Sequence, residues 1–185
     1  MLYFTSDLHF NHDKDFIYEP RGFRSVMESN ETLIKNWNSV VRPDDDIYVL
    51  GDFFLGIDLD FVVNTIKILK GRIHLVRGNH DTDAKLTLYE KMPNIVEMAY
   101  TTPLDFEGRH FLLTHYPTIT ANLNDTVKTA VFNLHGHTHS KDKFYQGRPY
   151  MYNVAVDAQN NKPVSINQIM NDIDERIAGY IEYFG

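Results

Sequence analysis

Short apolar runs that stop abruptly at Asp, Asn or His constrain this chain more than any other feature. Leu2-Tyr3-Phe4-Thr5 runs into Ser6-Asp7-Leu8-His9, and Ile47-Tyr48-Val49-Leu50 runs into Gly51-Asp52. Residues 73–76 run into Arg77-Gly78-Asn79-His80-Asp81. Helical patterns separate these runs. Over residues 25–41, Ser25 and Glu28 have capping-box spacing, and Leu33, Ile34, Trp37, Val40 and Val41 recur at period 3.6. Over 59–69, Leu59, Val62, Val63, Ile66 and Leu69 form one stripe that stops before Gly71. A β-α-β-α-β order requires parallel strands joined by right-handed crossovers.

The pattern changes beyond residue 90. Residues 95–100, 109–114, 131–135 and 150–156 read as antiparallel strands, with a turn at Glu107-Gly108. A last helix starts near Ser165, where Ser165 and Gln168 repeat the capping spacing, and carries Ile166, Ile169, Ile173, Ile177 and Ile181. That stripe reads as core or as a dimer seam, so a homo-oligomer is open. Two sheets packed face to face and flanked by helices accommodate this order, as one domain over residues 1–185.

Composition excludes several classes of function. The 185 residues include 18 basic and 25 acidic side chains, 9 histidines and no cysteine. Without cysteine there is no disulfide framework, thiolate zinc site or cysteine nucleophile. A net charge of -7 argues against gripping long nucleic acid by bulk electrostatics. No apolar run approaches the ~20 residues of a membrane span, and no basic leader opens the chain, so a soluble cytoplasmic protein is expected.

The polar clusters share one position. In α/β folds, loops beyond the carboxyl ends of strands converge side chains from distant sequence. Asp7, His9, Asp52, Asn79, His115, His137 and His139 all stand at strand ends. These nitrogen and oxygen donors are too many for one tetrahedral zinc, but suit two divalent ions if one carboxylate bridges. Asp7 and His9 point the same way if strand geometry persists, and His137 and His139 repeat that spacing. A sulfur-free set suits manganese, and equally iron, zinc, nickel or cobalt.

Taken together, Asp7-Leu8-His9, Gly51-Asp52, Gly78-Asn79-His80-Asp81, His115 and Gly136-His137-Thr138-His139 resemble the motifs of the calcineurin-like metallophosphoesterase superfamily. The opening residues 3–10 and Trp37-Asn38 are similar to its small bacterial and phage phosphoesterases. The resemblance implies a four-layer α/β/β/α sandwich with two mixed sheets and a dinuclear centre between loop ends. It implies that Asp7, His9, Asp52 and His139 hold the first ion. Asp52 would bridge, and Asn79, His115 and His137 would complete the second site. A metal-bridging hydroxide would attack phosphorus in line. His80 would protonate the leaving group, with Asp81 orienting its imidazole.

Departures from that family narrow the substrate. Gly51-Asp52 is followed by Phe53-Phe54-Leu55-Gly56, and Asp81 stands where the protein phosphatases carry glutamate. A small-molecule or nucleotide-like phosphodiester is the expected substrate. A phosphomonoester, a nucleotide pyrophosphate and a non-catalytic scaffold are the alternatives. Asn11 and His12 are candidates to reach substrate, and Arg21 to clamp a phosphate. His135 reads as packing or as support for a ligand, His74 and His110 as half-buried strand histidines, and Trp37 as core.

Overall fold

A computed structural model describes residues 1–56, 58–121 and 125–184, with side chains described as far as residue 179. The first sheet has the order β4 (Ile95–Ala99), β3 (Arg72–Val76), β2 (Asp46–Val49), β1 (Leu2–Thr5) and β9 (Val164–Ser165). It begins with β1 (Leu2–Thr5), followed by a short helix α1 (Asp15–Tyr18) and α2 (Val26–Val40). Then come β2 (Asp46–Val49), α3 (Leu59–Ile68), β3 (Arg72–Val76), α4 (Asp83–Tyr89) and β4 (Ile95–Ala99). Thr5 pairs with Val49 and Val49 with Leu75, in parallel. This register brings the carboxyl ends of β1, β2 and β3 to one edge, which is what places the loops carrying Asp7, Asp52 and Asn79 side by side.

Ser25 and Ser165 cap as their spacing predicts, each accepting the N–H three residues on, from Glu28 and Gln168. Neither box closes reciprocally. Glu28 accepts from the Arg24 N–H, and Gln168 donates to Asp172. The helical stripes bury Leu33, Trp37, Val62, Ile66 and Leu69 against Ile47, Val49, Ile73 and Leu75. Leu59, in the first turn of α3, instead remains 56% exposed. Trp37 is fully buried and donates its indole N–H to the Lys70 carbonyl at 2.8 Å.

The second sheet, β5-β6-β7-β8, comprises β5 (Thr102–Phe106), β6 (Arg109–Leu113), β7 (Val131–His135) and β8 (Met151–Asn153). Here the strand directions differ from expectation. β4 runs parallel to β3, and β6, β7 and β8 are mutually parallel; only β5 and β6 form an antiparallel hairpin, across Glu107-Gly108. β5 contains Pro103, which an edge strand tolerates because one row of its N–H groups is unpaired. Residues beyond Asn153 leave β8 and cross to the first sheet, where Ala155 bridges Ser6 and the Val156 N–H donates to the Ser6 carbonyl. That crossing ties the two sheets together beside the Asp7 loop.

β9 (Val164–Ser165) pairs antiparallel with β1 and leads into α5 (Ile166–Phe184). Ile166, Ile169 and Ile173 are fully buried against Phe4, Phe111, Phe132, Leu134 and Tyr152. These isoleucines are core of this chain and not a dimer seam; Ile181 falls outside the described side chains. Asp172 on α5 accepts from the Tyr152 hydroxyl and from Lys143, which sets the helix against β8. Among the described residues no helix is long and apolar enough to cross a membrane.

Candidate metal centre

The loops that leave the strands do not continue strand geometry. Asp7 (φ 54), His9 (φ 48), Asp52 (φ 54), His137 (φ 69) and His139 (φ 49) all adopt left-handed backbone. For L-residues this costs roughly 1–2 kcal/mol each. The alternation of Asp7 with His9, and of His137 with His139, therefore arises from kinked loops rather than from a pleat. Neighbouring loops hold the kinks: the Asp7, His9 and Phe10 N–H groups donate to the carbonyls of Gly51, Asp52 and Phe53 at 3.1, 3.0 and 3.0 Å. Gly136 is the closest approach, where a Cβ would overlap the Asp7 carboxylate and the Ser6 hydroxyl.

Each carboxylate keeps one oxygen anchored and one turned inward. Asp7 Oδ2 accepts the His137 N–H at 2.8 Å, and Asp52 Oδ1 accepts the His80 N–H at 2.8 Å. Asp7 Oδ1 is buried with no hydrogen-bond partner, and so is His9 Nε2. They lie 3.9 Å apart, and His139 Nε2 is 3.8 Å from the same Asp7 oxygen. Asp52 Oδ2 lies 3.6 Å from His9 Nε2 and 3.4 Å from His115 Nε2. His115 Nδ1 donates to the Leu50 carbonyl at 2.8 Å, a bond that leaves Nε2 to offer its lone pair. Asn79 Oδ1 sits 2.9 Å from His115 Nε2 and 3.1 Å from His137 Nδ1.

Buried polar atoms without partners are costly, so two of them facing each other need an explanation. A cation supplies one. The donor atoms of Asp7, His9 and His139 lie within 4.8 Å of one another, as do those of Asp7, Asp52 and His115. An all-nitrogen-and-oxygen set of this size fits divalent ions of the manganese-to-zinc series. Burial pushes the Asp7 carboxyl up and the His9 imidazole down to about 3, which keeps His9 neutral and its lone pair free. Burial also acts to raise Asp52, but the His115 hydrogen bond and charge outweigh it and hold Asp52 at about 2.

Several expected roles change. Arg21 is no phosphate clamp: its side chain is 1% exposed and forks onto Asp157 at 3.0 and 2.9 Å. Its remaining donors reach the Asp7 carbonyl at 2.8 Å and the Leu8 carbonyl at 3.2 Å. Asp81 does not orient the His80 ring. Its carboxylate accepts backbone N–H groups of Asp52, Gly78 and Phe53, joining the loops after β2 and β3. His12 is buried with Nδ1 3.4 Å from His9 Nδ1, and so stands behind a candidate ligand. The Asn11 N–H donates to Asn30 Oδ1, which fixes its backbone beside α2.

His135 is fully buried, with Nδ1 on the Gly136 carbonyl at 2.9 Å, and packs rather than joining the donor cluster. His74 bonds Glu97 and Asp46, and His110 bonds Asp105, both away from the centre. Two residues escape the sequence reading. Asp157 accepts from His139 Nδ1 at 3.2 Å, and this hydrogen bond, the main cause, raises the His139 pKa. Its sequence signal is real but slight, since Asp157 ends the apolar run 154–156 as Asp7 and Asp52 end theirs. Lys85 is buried with Nζ on the carbonyls of Phe54 and His80, a role no local pattern announces.

Residues 1–160 match the calcineurin-like phosphoesterase superfamily domain. The chain is 34% identical over 179 residues to an uncharacterised protein of Methanocaldococcus jannaschii, covering 94% of this chain and 92% of that one. It is 29% identical over 161 residues to the gene 66 protein of Mycobacterium phage L5, covering 75% and 77%. The solved structure of an Aquifex aeolicus protein of unknown function superposes with a TM-score of 0.72 at 27% identity, covering 92% of this chain and 98% of that one.

Proposed function

The chain belongs to the calcineurin-like phosphoesterase superfamily and is a metal-dependent phosphoesterase, and on that premise we propose that it is a two-ion phosphodiesterase acting on small, nucleotide-like or other small-molecule diesters. The observation that carries this reading is Asp52 Oδ2, a single oxygen 3.6 Å from His9 Nε2 and 3.4 Å from His115 Nε2. It faces both halves of the donor set. Asp7 also belongs to both carboxylate–histidine groups, but its inward Oδ1 lies 3.9 Å from His9 and 3.8 Å from His139, both in one half, which favours Asp52 as the bridge.

In this reading Asp7, His9, Asp52 and His139 would hold one ion, and Asp52, Asn79, His115 and His137 would hold the other. Manganese heads the candidates, with iron, zinc, nickel and cobalt sharing its taste for imidazole and carboxylate. Bound dications supply positive charge for the phosphoryl oxygens and a lowered pKa for water. The chain supplies the proton. His80 is 45% exposed with Nε2 4.0 Å from Asp52 Oδ2, at the mouth of the cluster. Its backbone is pinned on both sides, by Asp52 Oδ1 and by Lys85 Nζ at 2.7 Å. From there it protonates the departing ester oxygen while water attacks phosphorus from the opposite side.

The test is an ion count and a turnover measurement on the same preparation. Protein stripped with chelator and reloaded with manganese should carry about two ions by elemental analysis. It should also hydrolyse bis(4-nitrophenyl) phosphate faster than 4-nitrophenyl phosphate. Uptake of no ion, or turnover indifferent to chelation, refutes the reading.

A further inference from the structure

The residue after His115 is a tyrosine whose direction is set by the fold. The Tyr116 carbonyl accepts from the Thr114 and Thr118 hydroxyls at 2.7 and 3.0 Å. The Thr118 N–H is in turn held at 2.8 Å by Asn133, which is fully buried. Pro117 between them fixes its own φ. The ring therefore stands against the centre rather than swinging on a free loop. Its centroid lies 4.5 Å from that of His137 and 5.1 Å from that of His115, at 60° and 74°. Packed by its edge contacts on two candidate ligands, it still leaves half its surface, 50%, to solvent.

Position matters here more than exposure, since an isolated exposed aromatic is ordinary. A phosphodiester bound through its phosphoryl oxygens has two organic arms. Hydrolysis breaks the phosphorus–oxygen bond to one arm, which leaves as an alcohol after taking a proton. The other arm stays on phosphorus, which gains the water oxygen. His80 lies against His9, with ring centroids 5.4 Å apart, so the leaving arm belongs on that side. Tyr116 lies against His115 and His137, on the other half of the donor set. The arm that stays projects off the line joining attacking water and leaving oxygen. Tyr116 is an exposed ring beside the donor set, away from His80, that such an arm can meet.

Resting on the hydrolase reading above, we propose that Tyr116 is a specificity-determining residue that stacks on a planar aromatic ring in the retained arm, so that the preferred substrates are phosphodiesters bearing such a ring. A polar aliphatic arm gains little against a ring face, whereas an aryl group or nucleobase gains stacking whatever its hydrogen-bonding pattern. The chain's net charge of -7 agrees with a short ligand recognised by its ring, and not with a polyanion gripped along its length.

The experiment compares diesters that share a 4-nitrophenolate leaving group and differ only in the retained arm: phenyl, cyclohexyl and 5′-thymidyl. Manganese-loaded wild type, Tyr116→Phe and Tyr116→Leu are assayed on each. The phenyl-to-cyclohexyl ratio of kcat/KM should fall about tenfold in Tyr116→Leu, chiefly through KM, and survive in Tyr116→Phe. Intrinsic reactivity differences between the probes cancel between variants. A larger fall for the thymidyl probe assigns the ring to a nucleobase, and a larger fall for phenyl assigns it to an aryl ester. If Tyr116→Leu slows all three probes equally, Tyr116 only packs on the ligands and the proposal fails while the hydrolase reading stands. If wild type turns over none of the three, both fail together.

Discussion

The two halves of the donor cluster are built differently. Asp7 and His9 are buried, and His139 is backed by Asp157, which is itself forked by Arg21. Arg21 also holds the carbonyls of Asp7 and Leu8, so one buried cation braces three of the connections on that side. On the other side Asn79 and His137 are exposed, as His139 also is, and His115 is buried and anchored through a main-chain carbonyl. Among the described residues no carboxylate stands behind His137 as Asp157 stands behind His139. One half is supported by a side-chain network from three distant segments, the other mostly by the path of its own loops. On the two-ion proposal, the braced half should bind its ion more tightly and exchange it more slowly, because its donors lose less freedom on binding.

The largest effect should come from the oxygen between the halves. Asp52→Asn should reduce turnover on the order of 10³-fold and weaken both ions together, as read by steady-state rates and elemental analysis. Loss of one ion only would remove Asp52 from the bridging position. His80→Asn belongs to neither half, and should keep the ion content of wild type while losing about 10²- to 10⁴-fold on diesters with poor leaving groups. Unchanged rates on those diesters would end its role as acid.

Asp157→Asn tests the brace itself. It leaves the buried Arg21 unpaired, so a denaturant melt of the ion-free protein should show a loss of about 3 kcal/mol. One ion should bind 10- to 100-fold more weakly, roughly the effect of removing a carboxylate behind a ligand histidine, and Asp157→Glu should recover part of that affinity. Burial acts to raise the Asp157 carboxyl, but His139 and Arg21 overcome it and hold it at about 2, below the ordinary carboxylate range. Its contribution to stability is therefore present above about pH 4 and lost as pH falls toward 2. The wild-type advantage over Asp157→Asn should shrink across that window. The smallest effect is expected at Asn79→Ala, which should weaken the other ion by about tenfold and leave the braced one in place. Equal weakening of both ions would mean the halves are not separable.

The strand ends of the candidate site are legible as a list of residues, and the convergence of Asp7, Asp52 and Asn79 is legible as a consequence of parallel strands. That of His115 with His137 depends instead on the unexpected parallel pairing of β6 and β7. The contacts among these residues are not legible. Asp81 has the composition of a histidine-orienting carboxylate and instead ties two loops together, because its neighbours are three backbone N–H groups. Arg21 sits in a long loop that reads as an overhang, and is buried because Asp157 arrives from a segment 136 residues away. The parallel directions of β4, β7 and β8 are hidden from the sequence for a related reason. Periodicity reports which face of a strand is buried, and a parallel and an antiparallel strand bury the same face.

Local order along the chain was enough to determine the helices α2, α3 and α5, the three strands whose ends carry Asp7, Asp52 and Asn79, and the sulfur-free chemistry of the donors. Each depends on residues within a few positions of one another, where period, capping and side-chain type act directly. Tertiary structure alone decided which carboxylate faces both halves, which histidine is braced, and that Arg21 supports rather than clamps. Those outcomes turn on which buried polar atoms find partners. Partnership across more than a hundred residues is settled by the register of the sheets and the crossing at Ala155, not by any pattern a local stretch can hold.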